Sequence, residues 1–168
     1  MFTYNKVFAK AKEENLEALE LTVSEDRNFS FSLFRGELDS YNISESKTIE
    51  AKGIYNGKVG FATSEKTDDS TVDYLVNHIK QNATLTNSGD TGVIFKGSDK
   101  YHKKNVYNKK LAETSPEEKI RLMKELDSAV KKESDLIKEV ELQYRESTSS
   151  MTLMNSYGLK LTDRKSVV

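Results

Sequence analysis

Residues 29–62 read FSFSLFRGELDSYNISESKTIEAKGIYNGKVGFA, and this stretch decides the fold. Apolar and polar residues alternate along much of it, which is typical of strands with one buried face. Arg35-Gly36 predicts a tight turn, and Asn56-Gly57 is the strongest short-range signal for a β-hairpin. With the alternation that precedes residue 29, these signals predict a meander of about five antiparallel strands over residues 18–63.

Three helices are predicted beside this meander. The first runs from about Tyr4 to Asn15, and the second begins within Thr67–Ser70 and frays near Ala83. The third opens at Ser115–Glu118, where Ser is the N-cap, Pro occupies N1 and Glu closes a capping box. Its predicted apolar stripe consists of Ile120, Met123, Leu126, Ala129 and Val130.

The last third of the chain again carries strand signals. One strand is predicted around 137–144 and another at 151–153, with Ser147–Ser150 as a solvated connection. A turn is predicted at Asn155–Gly158, and another strand begins near residue 164. The fold class is therefore α+β, with a largely antiparallel sheet and about three helices packed on it.

The order of these signals contains a weak internal repeat. The first series consists of a helix, the segment 20–23, the residues Phe29 and Phe31, and a glycine turn. The second series has the same order: a helix, the segment 141–144, the residues Met151 and Leu153, and another glycine turn. Any two helix–hairpin units would look alike, so duplication and chance are both open. Duplication predicts that both hairpins lie in one sheet.

Length and composition set limits on the class of protein. A chain of 168 residues suggests one domain over 1–168, interrupted by a long polar, basic loop at 84–114. No run of apolar residues exceeds three, which excludes a membrane helix and a secretory signal. Cysteine is absent, so disulfides and thiolate chemistry are excluded, and the expected compartment is the cytoplasm.

Residues that could carry chemistry are few. His78 and His102 are the only histidines, and they lie 24 positions apart. A catalytic zinc site needs about three protein ligands, and no nucleophile–histidine–acid pattern is present. We therefore assign no catalytic, cofactor-binding or metal-ligating residue, and expect no cofactor in this chain.

The basic part of the loop, residues 96–110, has six lysines against Asp99. Tyr101 and Tyr107 are interleaved, which is compatible with phosphate contacts and base stacking. A solvated loop is the favoured interpretation, because net charge over the whole chain is only −1 and no other basic face is predicted.

Three segments together resemble a known family. They are Phe29–Leu38, Tyr41–Ser46 and Gly53–Ala62, and the predicted third helix and the Asn155–Gly158 turn follow in the same order. This order is similar to the amino-terminal domain of the TldD/PmbA family, also called the modulator of DNA gyrase family. The resemblance covers essentially the whole chain and rests on turn and strand patterns.

The resemblance implies a cytoplasmic metallopeptidase system that acts on flexible peptides, including precursors of modified peptide antibiotics. It implies zinc in a TldD-like partner, held through a His-Glu-x-x-x-His helix. This sequence has no His-Glu pair, and in TldD-like chains the resemblance implies that the motif lies beyond residue 168. The PmbA-like branch is favoured over the TldD-like branch.

The expected function is that of a non-catalytic amino-terminal domain, which contributes to subunit assembly and to peptide access to zinc elsewhere. Expected partners are a carboxy-terminal domain of its own longer chain, a TldD/PmbA-like subunit and unfolded peptide; nucleic acid and membrane are not expected. The alternative is a free-standing nucleic-acid-binding or protein-interaction module that uses residues 96–110.

Overall fold

The computed structural model describes residues 1–85, 92–102, 104 and 106–168. The helices are α1 (Tyr4–Glu13), α2 (Ser70–Leu85), α3 (Lys109–Glu113) and α4 (Pro116–Lys132). The strands are β1 (Ala18–Phe34), β2 (Glu37–Tyr55), β3 (Lys58–Ser64), β4 (Glu141–Asn155) and β5 (Lys160–Val167). They form one antiparallel sheet in the order β3-β2-β1-β4-β5, so the predicted α+β class is confirmed.

Turn chemistry explains the two amino-terminal hairpins. Arg35 and Gly36 have φ values of 54° and 84°, and Asn56 and Gly57 have 51° and 71°. Two consecutive positive φ values are the signature of a type I′ turn, which matches the twist of the strands it joins. The register after the second turn runs from Tyr55 opposite Lys58 to Ile49 opposite Ser64.

The prediction of five strands between residues 18 and 63 is wrong, because three longer strands occupy this region. In β1, apart from Ala18 at its first position, the buried apolar residues before and after the polar stretch 24–28 have odd numbers: Leu19, Leu21, Val23, Phe29, Phe31 and Leu33. A period of two is thus kept across the polar stretch. The strand continues through it without a turn.

The same correction applies to the carboxy-terminal strands. β4 is a single strand of 15 residues, and Ser147–Ser150 lie inside it instead of connecting two strands. The Asn155–Gly158 turn is confirmed, with Gly158 at φ 87° and its N–H donating to the Asn155 carbonyl at 3.1 Å. Both glycine-turn hairpins belong to the one sheet, as duplication requires.

The chain forms two compact units. Unit 1 contains Met1–Glu25, Ser46–Lys103 and Ser150–Asp163, and unit 2 contains Asp26–Glu45, Lys104–Ser149 and Arg164–Val168. Strands β1, β2, β4 and β5 contribute residues to both. A single domain over 1–168 remains a prediction.

Unit 1 has its core between the helices α1 and α2 and the sheet. Val7, Leu75, Val76 and Ile79 are among its fully buried side chains. A Cβ atom on Gly60 of β3 would lie only 1.9 Å from the Ile79 carbonyl oxygen. The absence of a side chain at this position therefore allows α2 to approach β3 closely.

Unit 2 has an aromatic core under α4, with Phe29, Phe31, Leu33 and Tyr144 buried. The predicted capping box is confirmed: Ser115 Oγ accepts from the Glu118 N–H at 3.2 Å, and Glu118 Oε2 accepts from the Ser115 N–H at 3.4 Å. Of the predicted apolar stripe on α4, however, Leu126 and Ala129 are exposed.

The predicted loop 84–114 is more ordered at its end than expected. Residues 109–113 form α3, Val106 bridges to Lys165 in parallel, and the Asn108 N–H donates to Ser166 Oγ at 2.8 Å. Residues 86–91, 103 and 105 of this loop lie outside the described residues. No described helix has both the length and the apolar character required to cross a bilayer.

Candidate functional site

A buried ion pair joins α4 to β4 in unit 2. Lys119 Nζ lies 2.7 Å from Glu146 Oε2, and the two side chains are only 8% and 12% exposed. Tyr144 OH donates to the same oxygen at 2.7 Å. Charges are removed from water at a large cost unless they are paired and hydrogen-bonded, and this carboxylate has both kinds of partner.

Aromatic rings surround this ion pair. Lys119 Nζ lies 5.5 Å from the ring centre of Phe29, and Phe31 stacks on Tyr144 with centres 5.0 Å apart. Burial, followed by the hydrogen bond and the charge of Glu146, raises the pKa of Tyr144 above its ordinary value. The phenol therefore stays protonated and remains a hydrogen-bond donor at neutral pH.

A cavity of about 200 Å³ lies beside the ion pair, and its walls include Arg27, Ile43, Pro116 and Thr148. Arg27 is mostly exposed and pairs with Glu45 at 3.3 Å. The lining contains no histidine or cysteine, and its buried lysine is neutralised by Glu146. The arrangement can hold and orient a group, but it offers no nucleophile next to a base.

A second buried carboxylate lies further along α4. The Asp127 side chain is 7% exposed, and its Oδ2 accepts from Lys131 Nζ at 2.7 Å. Its Oδ1 has no hydrogen-bond partner in the described part of the chain. A Cβ at Gly36 would lie 3.2 Å from Oδ2, so this glycine turn packs directly against the carboxylate.

An apolar pair on the surface of α4 has no cover within the described chain. Leu122 and Leu126 are 60% and 45% exposed and lie four residues apart, so they share one face of the helix. We call them the α4 leucine pair. Two neighbouring exposed leucines form a small apolar patch that a partner surface can cover.

Unit 1 carries a larger concavity, which we call the α1 groove. It has a volume of about 710 Å³ and lies between α1 and the β4–β5 turn. Phe8, Leu16, Met154 and Leu159 provide much of its apolar surface. Lys12 and Lys160 also line it. No signal in the sequence analysis pointed to this groove, because its walls come from chain segments about 140 residues apart.

The lysine-rich segment 96–110 is divided between the two units. Lys96 lies over the Tyr157 ring with its Nζ 5.2 Å from the ring centre, and Lys109 pairs with Glu113 at 3.3 Å. Two of its lysines thus have partners within the chain. Lys103 lies outside the described residues.

Two regions of the chain match models of known protein families. Residues 19–83 match the model described as PmbA/TldA metallopeptidase domain 1, and residues 109–168 match the PmbA/TldA metallopeptidase central domain. The chain belongs to the PmbA/TldD metallopeptidase family. The resemblance seen in the sequence is therefore confirmed, while the branch within the family stays a prediction.

Solved structures similar to this PmbA/TldD chain share its fold. A proposed modulator of a DNA gyrase from Thermotoga maritima aligns with a TM-score of 0.83 at 20% identity, over 97% of this chain and 36% of that one. TldE from Thermococcus kodakarensis aligns with a TM-score of 0.77 at 18% identity, over 97% of this chain and 37% of that one. A proposed modulator of DNA gyrase from Bacteroides thetaiotaomicron aligns with a TM-score of 0.76 at 16% identity, over 96% of this chain and 38% of that one.

The PmbA/TldD chain therefore spans little more than a third of the length of these solved chains. No curated protein sequence matches it significantly. At these identities the structural likeness shows the fold alone.

The family description implies a metal, and the donor atoms of the residues that the structure describes do not fit one. His78 Nδ1 lies 2.9 Å from the Tyr74 carbonyl oxygen, and its ring packs on the Tyr74 ring. His102 is exposed in the lysine-rich segment. Among the described residues no three His, Cys, Asp or Glu side chains are grouped to hold a metal ion. We derive no catalytic step through zinc in this chain.

Proposed function

We propose that this chain is the non-catalytic amino-terminal part of a PmbA/TldD-type peptidase subunit. Its work is to build the subunit interface and to guide unfolded peptide to a zinc site carried elsewhere. We favour the PmbA-like branch, and the sequence of the full-length gene product tests this choice, because a His-Glu-x-x-x-His motif there would instead place it in the TldD-like branch.

The donor chemistry carries this proposal. The chain belongs to a family described as metallopeptidases, yet it has two histidines and no cysteine. One histidine is engaged with a backbone carbonyl of its own helix. Peptide hydrolysis by zinc generally needs about three protein ligands and an open position for water, so the chemistry belongs to another part of the system.

The assembly role is supported by the α4 leucine pair. The pair lies on a helix that is anchored to the sheet by the Lys119–Glu146 ion pair and by the aromatic core. A rigid helix with exposed leucines can bury apolar area against another subunit at little cost in conformational entropy.

The test uses the full-length gene product and a TldD-like subunit from the same organism. A Leu122→Asp/Leu126→Asp variant should weaken assembly at least tenfold in light-scattering titrations and reduce hydrolysis of an unfolded peptide in parallel. Leu85→Asp is the control, because Leu85 is a 77% exposed leucine of α2 in unit 1. If the double variant assembles and hydrolyses like the parent, the proposed assembly surface is wrong.

A further inference from the structure

We propose that the α1 groove binds the free carboxyl end of a peptide whose last residue is apolar. This inference goes beyond the proposed function, since it requires neither zinc nor a partner subunit. It rests on the size of the groove, on its apolar walls and on two lysines that have no acidic partner among the described residues.

The groove suits a short peptide end. Its volume of about 710 Å³ lies within the usual range of about 300–1,000 Å³ for small-ligand sites. Phe8 and Leu16 come from the α1 side, and Met154 and Leu159 flank the β4–β5 turn. These side chains form an apolar surface on which a leucine or phenylalanine side chain can pack.

The charge at the groove is unbalanced. Lys12 and Lys160 both line it, and neither has an ion-pair partner in the described part of the chain. The acidic side chain in the lining, Glu17, is held by the Gly57 N–H, which donates to its Oε1 at 2.8 Å, so the lining carries two positive charges against one negative charge. An apolar surface with two free ammonium groups is complementary to an apolar ligand that ends in a carboxylate.

The turn at the groove is rigid and its N–H groups are occupied. Asn155 Oδ1 accepts from the N–H groups of Tyr157 and Leu159 at 2.9 and 3.1 Å, and Asn155 Nδ2 donates to the Phe95 carbonyl at 2.6 Å. The Ser156 N–H donates to the Leu19 carbonyl at 2.8 Å. Recognition of an anion therefore falls to the two lysines, and binding should depend on them.

The experiment titrates the 168-residue chain with acetyl-Ala-Ala-Leu and with its carboxamide, followed by NMR chemical shifts and calorimetry. We expect the free acid to bind with a Kd of about 0.1 mM, a typical affinity for a ligand of this size, and to shift groove resonances. The carboxamide should bind at least tenfold more weakly, because it lacks the charge.

Variants locate the site. Lys12→Gln/Lys160→Gln should weaken binding of the acid at least tenfold, and Ala9→Phe, on an exposed position of α1 that lines the groove, should block it. Lys66→Gln is the matched control, since Lys66 is exposed and lies outside the groove lining. Unchanged NMR spectra of the free variants establish that each is folded.

Several results would overturn the inference: no binding of the acid, equal binding of acid and carboxamide, or full binding by the double lysine variant. Octanoate that binds tenfold more tightly than the peptide would also overturn it, because the groove would then be a fatty-acid site. If the α1 groove does not bind the peptide, the results of the assembly and hydrolysis experiments are unaffected. Failure of this inference is therefore distinguishable from failure of the proposed function.

Discussion

Lys119 and Glu146 form an almost completely buried ion pair, with Nζ and Oε2 2.7 Å apart. The lysine comes from the first turns of α4 and the glutamate from the middle of β4. Such a pair adds little net stability compared with a well-packed apolar pair, because both ions lose their hydration. It does penalise any packing of α4 on β4 that separates the two charges.

Replacing Lys119 by Met should destabilise the protein by about 3–5 kcal/mol, because Glu146 is left buried without a counter-charge. Urea denaturation measures the change. The double variant Lys119→Met/Glu146→Leu should recover most of the loss. Lys109→Met is the control, since its ion pair with Glu113 is largely exposed and is worth less than about 1 kcal/mol. Equal effects of the two lysine substitutions would contradict this account.

Gly60→Ala should cost about 3 kcal/mol, because the added methyl group would lie 1.9 Å from the Ile79 carbonyl oxygen and α2 would have to move away from β3. Thermal and urea unfolding report the loss. Gly57→Asn provides the comparison: its added atoms meet open space, and asparagine tolerates a positive φ. A Gly60→Ala protein as stable as the parent would show that α2 is not packed this closely.

Low pH should destabilise unit 1, because Glu14 becomes protonated and loses its ion pairs with Lys10 and Lys80. Hydrogen bonds from Lys80 and then Lys10, together with their charges, lower the pKa of Glu14 from 4.5 to about 2. A carboxyl whose pKa is lower in the folded state stabilises the fold above its unfolded pKa, and this contribution is lost as pH falls from about 4.5 to 2.

Urea midpoints measured between pH 7 and pH 2.5 test this dependence. Glu14→Gln should lower stability near neutral pH and flatten the decline below about pH 4.5. Glu13→Gln is the neighbouring control, because Glu13 forms no ion pair in the described part of the chain. Parallel curves for Glu14→Gln and the parent would rule out the Glu14 contribution.

Nucleic acid should bind only weakly and in a salt-sensitive way. Lys109 already pairs with Glu113 and the whole chain has a net charge of only −1, so the segment makes few phosphate contacts and releases few counterions. Fluorescence anisotropy with short DNA and RNA at two salt concentrations measures this. A sequence-selective complex that survives physiological salt would instead support the nucleic-acid-binding alternative.

Local signals in the sequence predicted the turns and the helix start because short-range chemistry controls them. Asn56-Gly57 needs no distant partner to form its turn, and the capping box at Ser115 is complete within four residues. Strand lengths were mispredicted because the polar stretch 24–28 was interpreted as a break. Apart from Ala18, the buried apolar residues on both sides of this stretch occupy odd-numbered positions, which indicates that one strand continues through it.

The buried charges were missed for a different reason. Tyr144 and Glu146 lie two positions apart on one face of β4, and a charge next to a buried aromatic residue on that face indicates a buried partner. The identity of the partner, Lys119, depends on how α4 packs, which periodicity does not reveal. The α1 groove was missed because it joins segments that are distant in sequence.

The most direct test of the central claim is chelator-sensitive hydrolysis of an unfolded peptide by the purified 168-residue chain, with its zinc content measured in parallel. The account predicts no stoichiometric zinc and no such hydrolysis, whereas the full-length protein with its TldD-like partner hydrolyses the same peptide. One tightly bound zinc per chain, or hydrolysis by the chain alone that a chelator abolishes, would contradict it.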